Sequence, residues 1–315
     1  MSLDEKFLSY EKLRHGMDHE RYEWSMLERR EPVTWPGNAP LALWINVCVE
    51  HFPLNPQSAG FKAPGNMTMP YPDLRHYTLR DYGNRVGIFR ILEALDRHGF
   101  HASFAINGEV AERYPYLAQR LAEVGAELLA HGWNMDCAHS SAVDEQTERQ
   151  WIRQTLAALE HLVDQPIRGW LGPARSQSSR TPELLDEAGI TWCADWVNDD
   201  LPYRFRTDAG DLVNLPLSLE LEDRFIINDN LHSETEYADQ LIDAADFLLA
   251  EGRERGGRLL ALNLHPWVIG QPHRIGQLER LFEHLYGLGD LVWSAAPSEI
   301  IAAAGFVLEG SGLGD

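Results

Sequence analysis

The chain has 315 residues, 44% apolar and 24% charged, enough to bury a large core and unlike the composition of a disordered chain. A formal net charge of −21 at pH 7 repels a phosphate backbone, so no nucleic-acid partner is expected. Three scattered cysteines (Cys48, Cys137, Cys193) form neither a disulfide framework nor a thiolate metal site. No stretch reaches the roughly 18 uninterrupted apolar residues of a membrane helix, and the first sixteen residues lack an apolar segment behind a basic start, which predicts a cytoplasmic protein.

Residues 1–40 are polar and aromatic and end in prolines and a glycine, so they read as an N-terminal arm over the domain. Residues 41–49 (LALWINVCV) form an apolar run rich in β-formers, a buried strand. Residues 51–80 show no period and read as a long loop at a functional rim. Alternation follows. Residues 83–98 carry Val86, Phe89, Ile91, Leu92 and Leu95 at helical spacing, 101–106 is a strand, 109–123 a helix, 126–131 a strand and 144–163 a long helix. A short strand follows Pro166, then a helix opened by Thr181 and Pro182, a strand at 190–196, and the segments DLVNLPL and RFIIND. A helix from Glu234 capped by Ser233, the strand 258–266, a helix near 274–287, the run LVWSA and a last helix near 297–304 complete the order. Repeated strand–helix–strand order predicts parallel strands with right-handed crossovers, and seven or eight units fit a (β/α) barrel over residues 41–305, with 306–315 as a tail. No GxGxxG or P-loop supports a doubly wound sheet.

In such barrels chemistry sits at the C-terminal tips of strands. Five tips carry polar groups: Glu50-His51, His131 to Asp136, Leu171 to Ser176 with Arg175, Asn198-Asp199-Asp200, and His265-Pro266. Each has a structural reading as well: a hydrogen-bonded rim histidine, an Asp-Asp turn, an arginine clamp. Together they make a parts list for hydrolysis of an amide-like bond, with a carboxylate as base, a histidine as acid and a cation for the oxyanion.

The stretches Trp35-Pro36, Arg80-Asp81-Tyr82-Gly83 with Arg85 and Gly87, His131-Gly132-Trp133, Asn198-Asp199-Asp200-Leu201-Pro202, and His265-Pro266 with Gly270, Pro272 and Arg274 resemble the polysaccharide deacetylase superfamily (NodB-like) over roughly residues 35 to 305. The nearer likeness is to its offshoot of metal-independent allantoinases and peptidoglycan-deacetylase-like proteins. The resemblance implies a distorted (β/α) barrel, removal of acetyl groups and a homo-oligomer, and the aromatic arm of residues 1–40 is the segment expected to cross to a neighbour. It also implies an aspartate pair where Glu50 and His51 stand, a second metal histidine where Met135 stands, an Arg-x-Pro where Leu171-Gly172-Pro173 stands, and a general-acid histidine matched by His265.

A divalent ion, zinc, is the cofactor implied, with Glu50 and His131 as two ligands and His51 or His139 as a third. Met135 is a poor ligand for a hard ion, so metal-free catalysis is the favoured expectation. The chain is then a hydrolase of carbon–nitrogen bonds acting on a small cyclic ureide or amide. In this reading Glu50, or Asp199 or Asp200, deprotonates water, His265 protonates the leaving nitrogen, and His131 with Arg175 holds the oxyanion. Burial is expected to raise the glutamate pKa and make it a usable base. Trp133, Trp196, Trp267 and Asp200 are the expected substrate wall, although such tryptophans are as often packing. Two other readings stay open: a metal-dependent N-deacetylase of an amino sugar or peptidoglycan fragment, and a non-catalytic ligand-binding barrel.

Overall fold

A computed structural model describes residues 17–57, 72–124, 127–163 and 165–308. Strand β1 (Leu41–Val49) is buried along its whole length. Its odd-numbered residues face the helices, while Ala42, Trp44 and Cys48 pack inside the curl of the sheet. Two buried faces explain the unbroken apolar run, as expected for a strand central to a parallel sheet. The side-chain period of two sends Asn46, Cys48 and Glu50 up the same inner face.

After β1 come α1 (Leu74–Tyr82), α2 (Ile88–His98), β2 (Ser103–Ile106), α3 (Gly108–Arg113), α4 (Pro115–Glu123), β3 (Leu128–Ala130), α5 (Glu145–Val163), β4 (Gly169–Trp170), α6 (Thr181–Glu187) and β5 (Trp192–Cys193). The hairpin of β6 (Tyr203–Arg206) and β7 (Asp211–Asn214), then α7 (Glu234–Arg255), β8 (Arg258–Leu264), α8 (Ile275–Gly287), β9 (Val292–Ser294) and α9 (Pro297–Ala303) complete the chain. The sheet order is β6-β7-β5-β4-β3-β2-β1-β8, with β9 beside the start of β1. Every pairing is parallel except β6 with β7. The result is the expected distorted (β/α) barrel, a curled sheet that does not close, because β6 and β8 end its hydrogen-bonded path. Among the described residues no helix is long and apolar enough to cross a membrane.

Several local expectations are corrected. Residues 74–80 are helical rather than loop, because the Asp73 side chain caps α1 by accepting the His76 N–H; residues 58–71 of the same expected loop lie outside the described residues. The helix expected over 109–123 is two helices, α3 ending at Arg113 and α4 restarting after Tyr114 with Pro115 at its first position. RFIIND, to which its sequence assigns no element, forms a π-helical turn, Arg224–Asp229, whose adjacent Ile226 and Ile227 are both buried and whose first N–H is capped by Asp223. Thr181 does not cap α6; its hydroxyl donates to Glu148, and Ser178 Oγ accepts the N–H groups of Arg180 and Thr181. Ser233 does cap α7, in a capping box with Glu236.

The described part of the arm lies on this chain's own barrel. Trp35 is buried with its Nε1 donating to the Arg258 carbonyl, Arg21 pairs with Glu183, and Arg30 grips both oxygens of Asp199 at 2.6 Å. Tyr22 packs edge-on against Trp196 and Tyr203, and the Arg206 N–H on β6 donates to the Arg21 carbonyl at 2.6 Å.

Two contacts set the height of the β8 tip. The π-helical turn Gly83–Gly87 brings the α1–α2 backbone against the segment after β8, so close that a Cβ on Gly87 would lie 2.0 Å from the Pro266 carbonyl oxygen. Beside it, the Arg80 guanidinium is sandwiched between the rings of Phe52 and Trp267, at 4.6 and 4.7 Å from their centroids, and reaches His76 Nδ1 at 2.6 Å. Burial, reinforced by the Arg80 charge, pushes the His76 imidazole down to about 4.

Two predictions follow from this packing. Gly87→Ala should lower stability by about 1–3 kcal/mol, read as a lower denaturant midpoint, because the clash is with backbone that has nowhere to go. An unchanged midpoint would contradict the close approach. For His76 the folded pKa lies below that of the unfolded chain, so stability is complete above pH 6.5 and is lost as pH falls from there toward about 4. The difference in midpoint between wild type and His76→Asn, followed across that window, should therefore shrink as pH falls.

Candidate active site

Four of the strand tips converge. Glu50 follows β1, His131 follows β3, Arg175 stands in the turn after β4, and His265 follows β8. Together with Cys48, Glu222, Arg224 and Asn263 they line a small pocket of about 40 Å³ that is open on one side. That is room for a few water molecules.

Each tip is held from below. Asn107 stitches two of them, its Oδ1 accepting the His51 N–H at 2.7 Å and its Nδ2 donating to the His131 carbonyl. Gly132 has φ +63, and a Cβ there would meet Pro173 at 2.4 Å, so glycine is required directly after His131. Up the inside of the barrel runs a polar ladder. Trp44 Nε1 donates to Ser103 Oγ, Ser103 to Asn46 Oδ1, Asn46 Nδ2 to Asn263 Oδ1, and Asn263 Nδ2 to Glu222 Oε2. The Cys48 thiol lies 3.2 Å from Asn263 Oδ1 on the same ladder.

Glu50 sits at the centre. Its Oε2 accepts the Trp267 Nε1–H at 3.0 Å, and its Oε1 lies 3.7 Å from His131 Nε2 and 3.8 Å from His265 Nε2. Both imidazoles are anchored by their other nitrogen, His131 Nδ1 to the Leu171 carbonyl and His265 Nδ1 to Asp223 Oδ1, each at 2.7 Å. Asp223 also accepts the His265 backbone N–H. These anchors turn each Nε2 toward the cavity, and that of His131 is buried without a hydrogen-bond partner.

The electrostatics reverse one expectation. Burial pushes Glu50 up, but His265, His131 and Arg224 outweigh it and bring the carboxyl down to about 2. Glu50 is therefore ionised at rest, not raised into the neutral range. Burial pulls His131 down, yet Cys48 and Glu50 carry it up to about 10; His265 rises well above its ordinary value, burial being overcome by Asp223, Glu50 and Glu222. Against burial, the same imidazoles lower the Cys48 thiol, whereas burial drives Cys137 up to about 12.

The structure does not bring every expected residue here. Asp199 accepts the N–H groups of Asp200 and Leu201 and is paired with Arg30, so it is turn and arm chemistry; Asp200 is exposed beside it. Trp133 packs on Gly108, and Trp196 belongs to the aromatic cluster with Tyr22 and Phe205. Trp267 does reach the site, through Glu50. Arg175 lines the cavity but is engaged by Glu222 at 2.6 Å. The sequence reading missed Cys48 as a cavity group, along with Glu222, Asp223, Arg224 and Asn263. Asn46, Cys48 and Asn263 were detectable, because polar or sulfur side chains two residues apart on an apolar run face the same side as Glu50 and His265. Glu222 to Arg224 gave no such signal.

The donor set does not fit the implied metal. Met135 is buried where a second histidine would stand, His51 turns to Glu109 at 3.6 Å, and His139 gives its Nδ1 to Glu148 at 2.9 Å. Among the described residues no three His, Cys, Asp or Glu side chains are grouped to hold an ion.

Fold and strand-tip site together resemble those of a barrel hydrolase of the deacetylase type. Residues 76–193 match the polysaccharide deacetylase family model. A Schizosaccharomyces pombe protein assigned as a polysaccharide deacetylase is 24% identical over 295 residues, covering 85% of this chain and 91% of its own. Among solved structures, PuuE allantoinase superposes with a TM-score of 0.80 at 25% identity, over 91% of this chain and 97% of its own. A Pseudomonas aeruginosa PAO1 protein assigned as a polysaccharide deacetylase gives 0.76 at 26%, over 85% and 92%. The chain is thus similar to polysaccharide deacetylases and to an allantoinase, and these relatives support a carbon–nitrogen hydrolase of the deacetylase type.

Asp223→Asn should cost about 3–5 kcal/mol of stability, since it leaves a buried imidazolium without its carboxylate. Chemical denaturation checks this, and a loss below about 1 kcal/mol would contradict the pairing.

Proposed function

We propose that the protein hydrolyses a carbon–nitrogen bond of a small cyclic ureide or amide using side chains alone. The observation that carries this is one carboxylate oxygen, Glu50 Oε1, facing the Nε2 atoms of two anchored histidines at the buried end of the pocket. The structural likeness to an allantoinase supports the ureide class.

Glu50, ionised and held by Trp267, orients a water and takes its proton as the oxygen attacks the carbonyl carbon. The oxyanion that forms faces the protonated Nε2 of His131, whose other nitrogen is fixed on Leu171. His265, protonated at rest and backed by Asp223, gives its Nε2 proton to the departing nitrogen. A carboxylate this acidic is a weak base in isolation. Its acidity, however, comes largely from the His265 charge, which vanishes as His265 gives up its proton. The two transfers therefore support each other, and Glu50 returns its proton across 3.8 Å to His265 to close the cycle.

The family match favours a second reading, N-deacetylation of an amino sugar. Assaying hydantoin, allantoin and N-acetylglucosamine in parallel, with and without added zinc, separates the two. With the active substrate, Glu50→Gln and His265→Asn should each lower kcat by about a thousandfold or more. Near-normal rates in both would overturn the assignment. Because Glu50 is ionised and His265 protonated throughout, kcat/KM should be flat between about pH 5 and 8.

A further inference from the structure

The cations around the cavity are not equally matched. His265 has Asp223 at 2.7 Å, Arg175 has Glu222 at 2.6 Å, and His131 has the Leu171 carbonyl at 2.7 Å. Arg224 also lines the cavity, yet its closest carboxylate oxygen is Glu222 Oε1 at 3.9 Å, and among the described residues its guanidinium makes no hydrogen bond. Glu222 cannot serve it better, since its other oxygen is already taken by Arg175 and by Asn263.

Exposure gives the cavity a direction. The side chains of Glu50, His131 and His265 are 2–3% exposed, Arg175 11% and Arg224 32%. The reacting groups are at the closed end, and Arg224 stands at the side open to solvent. A substrate whose scissile bond lies between Glu50 and His265 therefore presents its remote, non-reacting end to Arg224. A ligand carboxylate would match the Arg224 guanidinium fork, which no carboxylate of the pocket meets at hydrogen-bond distance, with two parallel N–H···O bonds. The chain's net charge of −21 offers no long-range attraction to an anion, so selectivity for one has to be local.

We infer that Arg224 anchors a carboxylate carried by the substrate, which makes the substrate class anionic amides or ureides. This rests on the hydrolase reading for the orientation of the ligand, but the anchor itself is testable by binding alone. N-acetylglycine, N-carbamoylglycine and hydantoin-5-acetate, each paired with its neutral primary amide, would be titrated calorimetrically into wild type, Arg224→Gln and Arg224→Lys. In wild type at least one acid should bind about tenfold or more tightly than its amide, from a charge-assisted bidentate contact. Arg224→Gln should erase that preference, and Arg224→Lys should keep part of it as a point charge. Equal binding of acid and amide by wild type, no acid bound by wild type, or a preference undiminished in Arg224→Gln would each overturn the anchor. Acid binding without turnover would leave the anchor standing and defeat the hydrolase reading. Turnover of neutral ureides at an undiminished rate in Arg224→Gln would do the reverse.

Discussion

Burying a lone carboxylate in a barrel costs several kcal/mol, and Glu50 is buried. The arrangement around it works to offset that cost. Two imidazoles face it, a tryptophan N–H bonds it, and a guanidinium adds its field. Each of those groups is in turn immobilised: one histidine by a backbone carbonyl, the other by a second buried carboxylate, the tryptophan by an arginine stacked on its face. Taking away one partner leaves an uncompensated charge rather than a missing contact, so stability and chemistry depend here on the same atoms.

The comparison with deacetylases is most informative where the donor set departs from the family pattern. Where the resemblance implies a second metal histidine stands the buried Met135, and His51 and His139 turn to carboxylates of their own. In the proposed mechanism the positive charge at the strand tips comes from imidazolium groups. An imidazolium carries a transferable proton, which a metal ion does not. The same geometric position can thus stabilise an oxyanion or feed a leaving group, according to which partner fixes its other nitrogen.

Much of the fold was readable because a parallel barrel strand is buried on both faces and so appears as an unbroken apolar run, as β1 and β8 do. The strands reduced to two residues, β4 and β5, were placed from their neighbours rather than from their own pattern. Residues 74–80 were hidden because α1 exposes Leu74 and buries His76 and Arg80, the reverse of an apolar stripe. In the site, Glu50, His131 and His265 were legible as polar ends of apolar runs. Asp199 misled for the same reason, since a turn and a catalytic tip share residue types and only the Arg30 pairing tells them apart. Glu222, Asp223 and Arg224 follow no strand and reach the cavity through a π-helical turn whose spacing resembles neither helix nor strand.

The strand β6 ends the hydrogen-bonded path of the sheet, and an uncovered strand edge is a template for another chain. Here the arm takes up the Arg206 N–H with the Arg21 carbonyl, and its hold is reinforced at Glu183 and Asp199. Arg204 and Arg206 add charge along the same strand. The consequence is colloidal: a segment remote from the pocket occupies a backbone group of the terminal strand and lays charge beside it, the two devices that make a sheet edge a poorer template for a neighbour's strand.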